Sequence, residues 1–85
     1  MTAFEYTITD EIGIHARPAS MLAKEAAKYK SKVFLHFGDK KADARRMIAI
    51  MGMGVKHGNT VRVEAEGEDE AQAAAQLEEF FKANL

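Results

Sequence analysis

Read from the N-terminus, the chain first alternates. Phe4, Tyr6 and Ile8 interleave with Glu5, Thr7 and Thr9, the period-two pattern of a half-buried strand. A loop follows over residues 10–14, where Gly13 offers the positive φ of a tight turn. The pattern then changes to helical spacing. Ala19, Leu22, Ala26 and Tyr29 form one stripe, which predicts a helix from residue 16 to about 29, rich in good helix formers. Val33, Leu35 and Phe37 alternate with Lys32, Phe34 and His36 in a second strand. Gly38-Asp39 turns the chain into a short third strand over residues 40–43. A short helix is expected from residue 46 to 51 or 53, weakened by Gly52 and Gly54. After a Gly58-Asn59 turn, Val61, Val63 and Ala65 alternate with Arg62, Glu64 and Glu66 in a fourth strand, and Gly67 breaks it. Glu68, Asp69 and Glu70 place negative charge at the start of a last helix, with Ala74, Leu77 and Phe81 as its apolar face and Ala73 and Phe80 beside it.

The resulting order is β-α-β-β-α-β-α, without repeats or linkers. Strands with one apolar face fit an antiparallel sheet covered by helices on one side and water on the other. The wet face is assigned Glu5, Thr7, Thr9, Phe34, His36, Arg62, Glu64 and Glu66. At 85 residues, residues 1–85 are expected to form a single domain. With no cysteine, disulfides and thiolate chemistry are excluded. A formal charge of −1 argues against a nucleic-acid binder. The first residues lack a signal-peptide pattern, and no apolar run approaches the ~18 residues of a membrane span. A cytoplasmic protein that does not insert into a membrane is therefore expected.

The chemistry concentrates in "GIHARPAS", Gly13 to Ser20. Pro18 is the only proline, and proline is tolerated in the first helical turn. The helix therefore starts near Ala16 with His15 at its N-cap, a position histidine fills poorly. A helix start offers unpaired N–H groups and the positive end of the macrodipole, an anion site suited to phosphate. The amides of Ala16 and Arg17 can point outward, and the Arg17 guanidinium can grip phosphate oxygens. His15 supplies a ring nitrogen as nucleophile. The same positive potential favours the neutral, nucleophilic ring and then holds the charge of a phosphoryl group on it. An alternative is that His15 is a plain polar surface residue. His36 and His57 stand apart from this pattern and read as surface residues, with no metal site.

"GIHARPAS", "KKADARRMIAIMGMGVKHG" and "VEAEGEDEAQAAAQL" together resemble the histidine-containing phosphocarrier family of the phosphoenolpyruvate-dependent sugar phosphotransferase system, over essentially the whole chain. The resemblance implies an α+β open-faced β-sandwich: a four-stranded antiparallel sheet with three helices on one face. It implies that His15 is phosphorylated on Nδ1 and that Arg17 steadies the phosphoryl group. Enzyme I would be the donor, and the enzyme IIA domains of sugar permeases the acceptors. The protein would be a carrier and covalent substrate rather than a stand-alone catalyst, without a cofactor of its own. Many relatives carry a regulatory serine at the start of the second helix; this chain has Arg46 there. Arg45 and Arg46 either attract an acidic partner or form a solvated charge pair.

Met47, Ile48 and Met51 share one side of the second helix. Spacing alone assigns them to the core. The resemblance makes them a docking surface, joined by Ser20, Met21 and Lys24 of the first helix, since methionine re-packs against varied partners. A small chain with one such patch is expected to be a monomer. The alternatives are a paralogue of a nitrogen-related or regulatory phosphotransferase chain, and a non-phosphorylated regulatory binding module. A small α+β RNA- or anion-binding domain ranks below both, because the wet face carries one aromatic and several glutamates.

Overall fold

In a computed structural model, which describes residues Met1–Leu85, the alternating segments become β1 (Thr2–Thr7), β2 (Lys32–Phe37), β3 (Lys40–Asp43) and β4 (Thr60–Glu66). The helically spaced segments become α1 (Ala16–Ala26), α2 (Met47–Gly52) and α3 (Glu70–Asn84). The four strands form one antiparallel sheet in the order β1-β4-β2-β3. β4, the last strand made, thus fills the gap left between β1 and β2. Gly38, at φ 61°, opens the two-residue turn that pairs Phe37 with Lys40.

One face of the sheet packs beneath the helices. Val33, Leu35, Val61, Val63 and Ala65 meet Leu22 and Ala26 of α1, Ile50 of α2, and Leu77 and Phe81 of α3 in one core cluster. Each fully buried aliphatic or aromatic side chain contributes about 1.5–3 kcal/mol. Phe81 is the centre of an aromatic group, edge-on to Phe4 at 5.8 Å and to Tyr6 at 5.6 Å. On the other face, Glu5, Thr7, Arg62 and Glu66 are exposed, and Phe34, His36 and Glu64 are half-buried. Phe34 lies under the Lys41 ammonium, 4.3 Å from ring centroid to nitrogen.

Several boundaries differ from the sequence pattern. β1 runs from Thr2 to Thr7, so Ile8 and Thr9, expected in the strand, lie beyond it, and α2 begins at Met47 with Arg46 as its N-cap. α1 ends at Ala26 rather than Tyr29. The N–H groups of Lys28 and Tyr29 turn to carbonyls three residues back, Glu25 and Ala26, and the Tyr29 hydroxyl donates to the Glu25 carboxylate. Burial and that carboxylate push the Tyr29 hydroxyl up to about 12. α3 starts at Glu70, so the acidic run does not all face its own helix. Asp69 reaches across to Ser31 instead. Its carboxylate accepts from the N–H groups of Lys30 and Ser31, each at 2.9 Å, and from the Ser31 hydroxyl.

Candidate functional site

The segment before α1 is held from both sides. The Asp10 carboxylate accepts from the N–H groups of Ile12 at 2.9 Å and Gly13 at 3.3 Å, closing a local turn. The N–H of Asp10 donates to the Leu85 carbonyl at 2.8 Å, and that carbonyl also accepts from the Thr9 hydroxyl. Ile14 donates to the Val55 carbonyl at 3.0 Å and buries its side chain. Gly13 takes φ 89° in direct contact with the Val55–Lys56 backbone. These ties fix the direction from which the chain enters α1.

His15 is the N-cap residue, with φ −108° and ψ −169°, as the position of Pro18 predicts. Its side chain makes no cap hydrogen bond. The first bond of the helix runs from the N–H of Ala19 to the His15 carbonyl at 2.9 Å. No protein group accepts from the N–H of Ala16 or Arg17, and Pro18 has none. No acidic residue occupies the first turn to neutralise the dipole.

The His15 ring is about one-third exposed, at 36 %. It lines an open depression of about 320 Å³ with Asp10, Arg17, Pro18, Met21 and Asn84. Asp10 and Asn84 are not signalled by the pattern around His15. The D-x-x-G spacing of Asp10 and Gly13 is the available cue for Asp10; Asn84 arrives only because α3 ends beside α1. The nearest carboxylate oxygen, Asp10 Oδ1, stands 3.9 Å from His15 Nε2. A guanidinium and an imidazole thus share one solvent-open space, next in the chain to two amides that no protein group engages, which suits a transferable oxyanion.

α1 packs against α2. Met21 and Lys24 are exposed on α1, and Ser20 is half-buried. On α2, Ile48 is 80 % exposed and Met51 38 %, while Met47 is half-buried and rests on the core. Ile50, one residue from Met51, is fully buried. Arg46 is the N-cap of α2 without a side-chain cap bond. It borders a second, largely apolar depression of about 460 Å³ with Met47, Ile48 and Ala49. Arg45 is instead drawn to Asp43, 3.4 Å from Nε to Oδ1.

His57 is exposed. His36 is half-buried, and its Nε2 shares a 2.8 Å hydrogen bond with Glu64 Oε1. Glu64 also accepts from Arg62, and the two partners, Arg62 first, hold its carboxyl below the usual carboxylate range. No group of three His, Cys, Asp or Glu side chains converges. No helix is long and apolar enough to cross a membrane.

The family model described as the PTS HPr component phosphorylation site matches residues 2–83. The phosphocarrier protein HPr of Mycoplasma capricolum is 40% identical over 73 residues, 86% of this chain and 82% of the relative. The HPr of Mycoplasma genitalium is 36% identical over 85 residues, 99% and 97% of the two chains. A solved HPr from Thermoanaerobacter tengcongensis has a TM-score of 0.93 at 34% identity, covering 98% of this chain and 93% of that one. An HPr dimer from the same organism gives 0.77 at 34% identity, covering 98% and 95%.

Proposed function

The chain belongs to the HPr family, phosphocarriers of the phosphotransferase system that interact with its enzyme I and enzyme II components, and on that premise we propose that His15 is the residue that carries the phosphoryl group. The bond forms at Nδ1, the ring nitrogen nearer the backbone. Its lone pair attacks phosphorus on charged enzyme I. The bond from phosphorus to the donor breaks, and its electron pair leaves with the donor. The Arg17 guanidinium and the free N–H groups of Ala16 and Arg17 hold the phosphoryl oxygens as the group passes from the donor to the ring. Delivery to the enzyme IIA domain of a sugar permease is the same displacement with the carrier as leaving group. No cofactor enters either step.

The observation that carries this reading is the uncapped start of α1. Two amides without partners, those of Ala16 and Arg17, directly follow an imidazole that does not use them. Incubation with enzyme I and phosphoenolpyruvate tests it. The expected product is an acid-labile, alkali-stable mass gain on His15, absent in His15→Ala. A gain that persists in His15→Ala refutes the assignment.

Ser20, Met21, Lys24, Met47, Ile48 and Met51 form the partner-facing surface around the carrier histidine, a modest patch suited to brief encounters. The chain acts in the cytoplasm as a monomer in the sugar branch of the system. Sedimentation at working concentration tests the monomer, and transfer to sugar-type rather than nitrogen-type acceptors tests the branch.

A further inference from the structure

We propose that Asp10 is a positioning residue for this phosphoryl transfer, holding a proton on His15 Nε2 so that Nδ1 remains the nucleophile and the leaving group. The inference rests on His15 being the carrier. Asp10 Oδ1 stands 3.9 Å from Nε2, beyond a hydrogen bond to a neutral ring but within ion-pair range of a cationic one. The carboxylate cannot swing away freely, because the same oxygen accepts from the N–H groups of Ile12 and Gly13. The backbone of Asp10 is itself pinned by its donation to the Leu85 carbonyl. The negative charge is therefore built into the loop, on the far side of the ring from the backbone. Arg17 is the other charged side chain of this depression and serves the phosphoryl side.

The consequence for chemistry follows from keeping count of the proton. A neutral imidazole has one N–H, and a carboxylate beside Nε2 favours the tautomer with the proton there. That leaves the lone pair on Nδ1. When Nδ1 bonds phosphorus, the ring keeps the Nε2 proton and becomes a cation, now facing the Asp10 carboxylate. When the phosphoryl group moves on, the P–Nδ1 bond breaks, its electron pair returns to Nδ1, and a neutral imidazole departs. No proton moves in either direction. Without the carboxylate, the phosphorylated ring releases its Nε2 proton more readily. Departure must then expel an imidazolate, the poorer leaving group.

Asp10→Asn separates charge from structure, since the amide oxygen can still accept from Ile12 and Gly13. Asp10→Ser, with a shorter turn oxygen, is the second variant. The readout is the ¹⁵N chemical shifts of the two His15 ring nitrogens in the unphosphorylated protein, followed upward in pH until they no longer change. The expected result is a fall of about two- to fivefold in the ratio of the Nε2–H to the Nδ1–H tautomer in both variants, the scale of a solvent-screened charge acting on the N–H dipole. Transfer from the phosphorylated variants slows by a similar factor. A tautomer ratio unchanged in both variants overturns the proposal. Phosphorylation of the unaltered chain by enzyme I is followed in parallel. Label absent from His15 removes the carrier assignment and this inference with it. Label on His15 with an unmoved ratio removes this inference alone.

Discussion

The backbone of Gly13 lies against that of Lys56, so closely that a Cβ at position 13 would stand 2.5 Å from both the Lys56 Cα and the Val55 carbonyl oxygen. The contact joins the loop before α1 to the segment before β4, two residues ahead of His15. Gly13 also takes φ 89°, which an L side chain adopts at a cost. Gly13→Ala is expected to lose about 2–4 kcal/mol in urea unfolding, from strain and a clash with backbone that cannot rotate away. His15 phosphorylation is also expected to slow at temperatures where the variant remains folded. An alanine variant as stable as the parent contradicts the close contact.

Ile48 and Ile50 sit two residues apart on α2 with opposite surroundings, 80 % and 0 % exposed. Ile50→Ala is expected to cost about 2–5 kcal/mol through the cavity it leaves. Ile48→Ala should change stability by less than about 0.5 kcal/mol. Ile48→Asp should leave the fold intact but raise the KM for enzyme I about tenfold, the scale of a docking residue. Met47→Asp is the less clean probe, because Met47 also rests on the core. Equal KM values for Ile48→Asp and the parent, with enzyme I and with an acceptor alike, remove α2 from the docking surface.

Asp69 gives the pH response a defined sign. Hydrogen bonds from the Ser31 hydroxyl, then the Lys30 amide, hold its carboxyl below the ordinary value of 3.8. A carboxyl depressed on folding contributes stability that is complete above its unfolded value and lost as pH falls through the folded one. Asp69→Asn is therefore expected to be less stable than the parent by a constant margin between about pH 5 and 8. The margin should shrink once pH drops below 3.8. Thermal melts across that range give the answer, and a gap that widens in acid reverses the assignment.

The strands and the helix start were legible because each rests on a local rule. Val33, Leu35 and Phe37 alternate, and Pro18 fixes where α1 begins. The tie from Asp69 to Ser31 was not legible. It spans 38 residues, and a serine between two lysines and an aspartate in an acidic run each look like ordinary surface. The end of α1 escapes the pattern for the same reason: Tyr29 fits the apolar stripe, but Glu25 takes its hydroxyl and Asp69 takes the next two amides. At the site, His15, Arg17 and Pro18 fall within four consecutive residues and announce themselves. Asp10 does not, because only the folded loop brings its carboxylate within 3.9 Å of the ring.

Arg46 sets local stability against attraction. As the N-cap of α2 it supplies no side-chain acceptor, and it puts a cation at the positive end of the helix. Its neighbour Arg45 is engaged with Asp43, so Arg46 is the freer guanidinium beside the depression with Met47 and Ile48. Arg46→Ser should gain about 0.5–1 kcal/mol in urea unfolding by capping the helix. If the exposed charge steers an acidic partner, the same variant should accept phosphoryl groups about two- to fivefold more slowly at low salt, since rim charges act mainly on the encounter rate. That difference should close as ionic strength rises towards about 0.5 M, where the screening length falls to a few ångströms. A rate deficit independent of salt points to contact rather than steering, and no deficit at any salt leaves Arg46 a solvated charge tolerated at the expense of the cap.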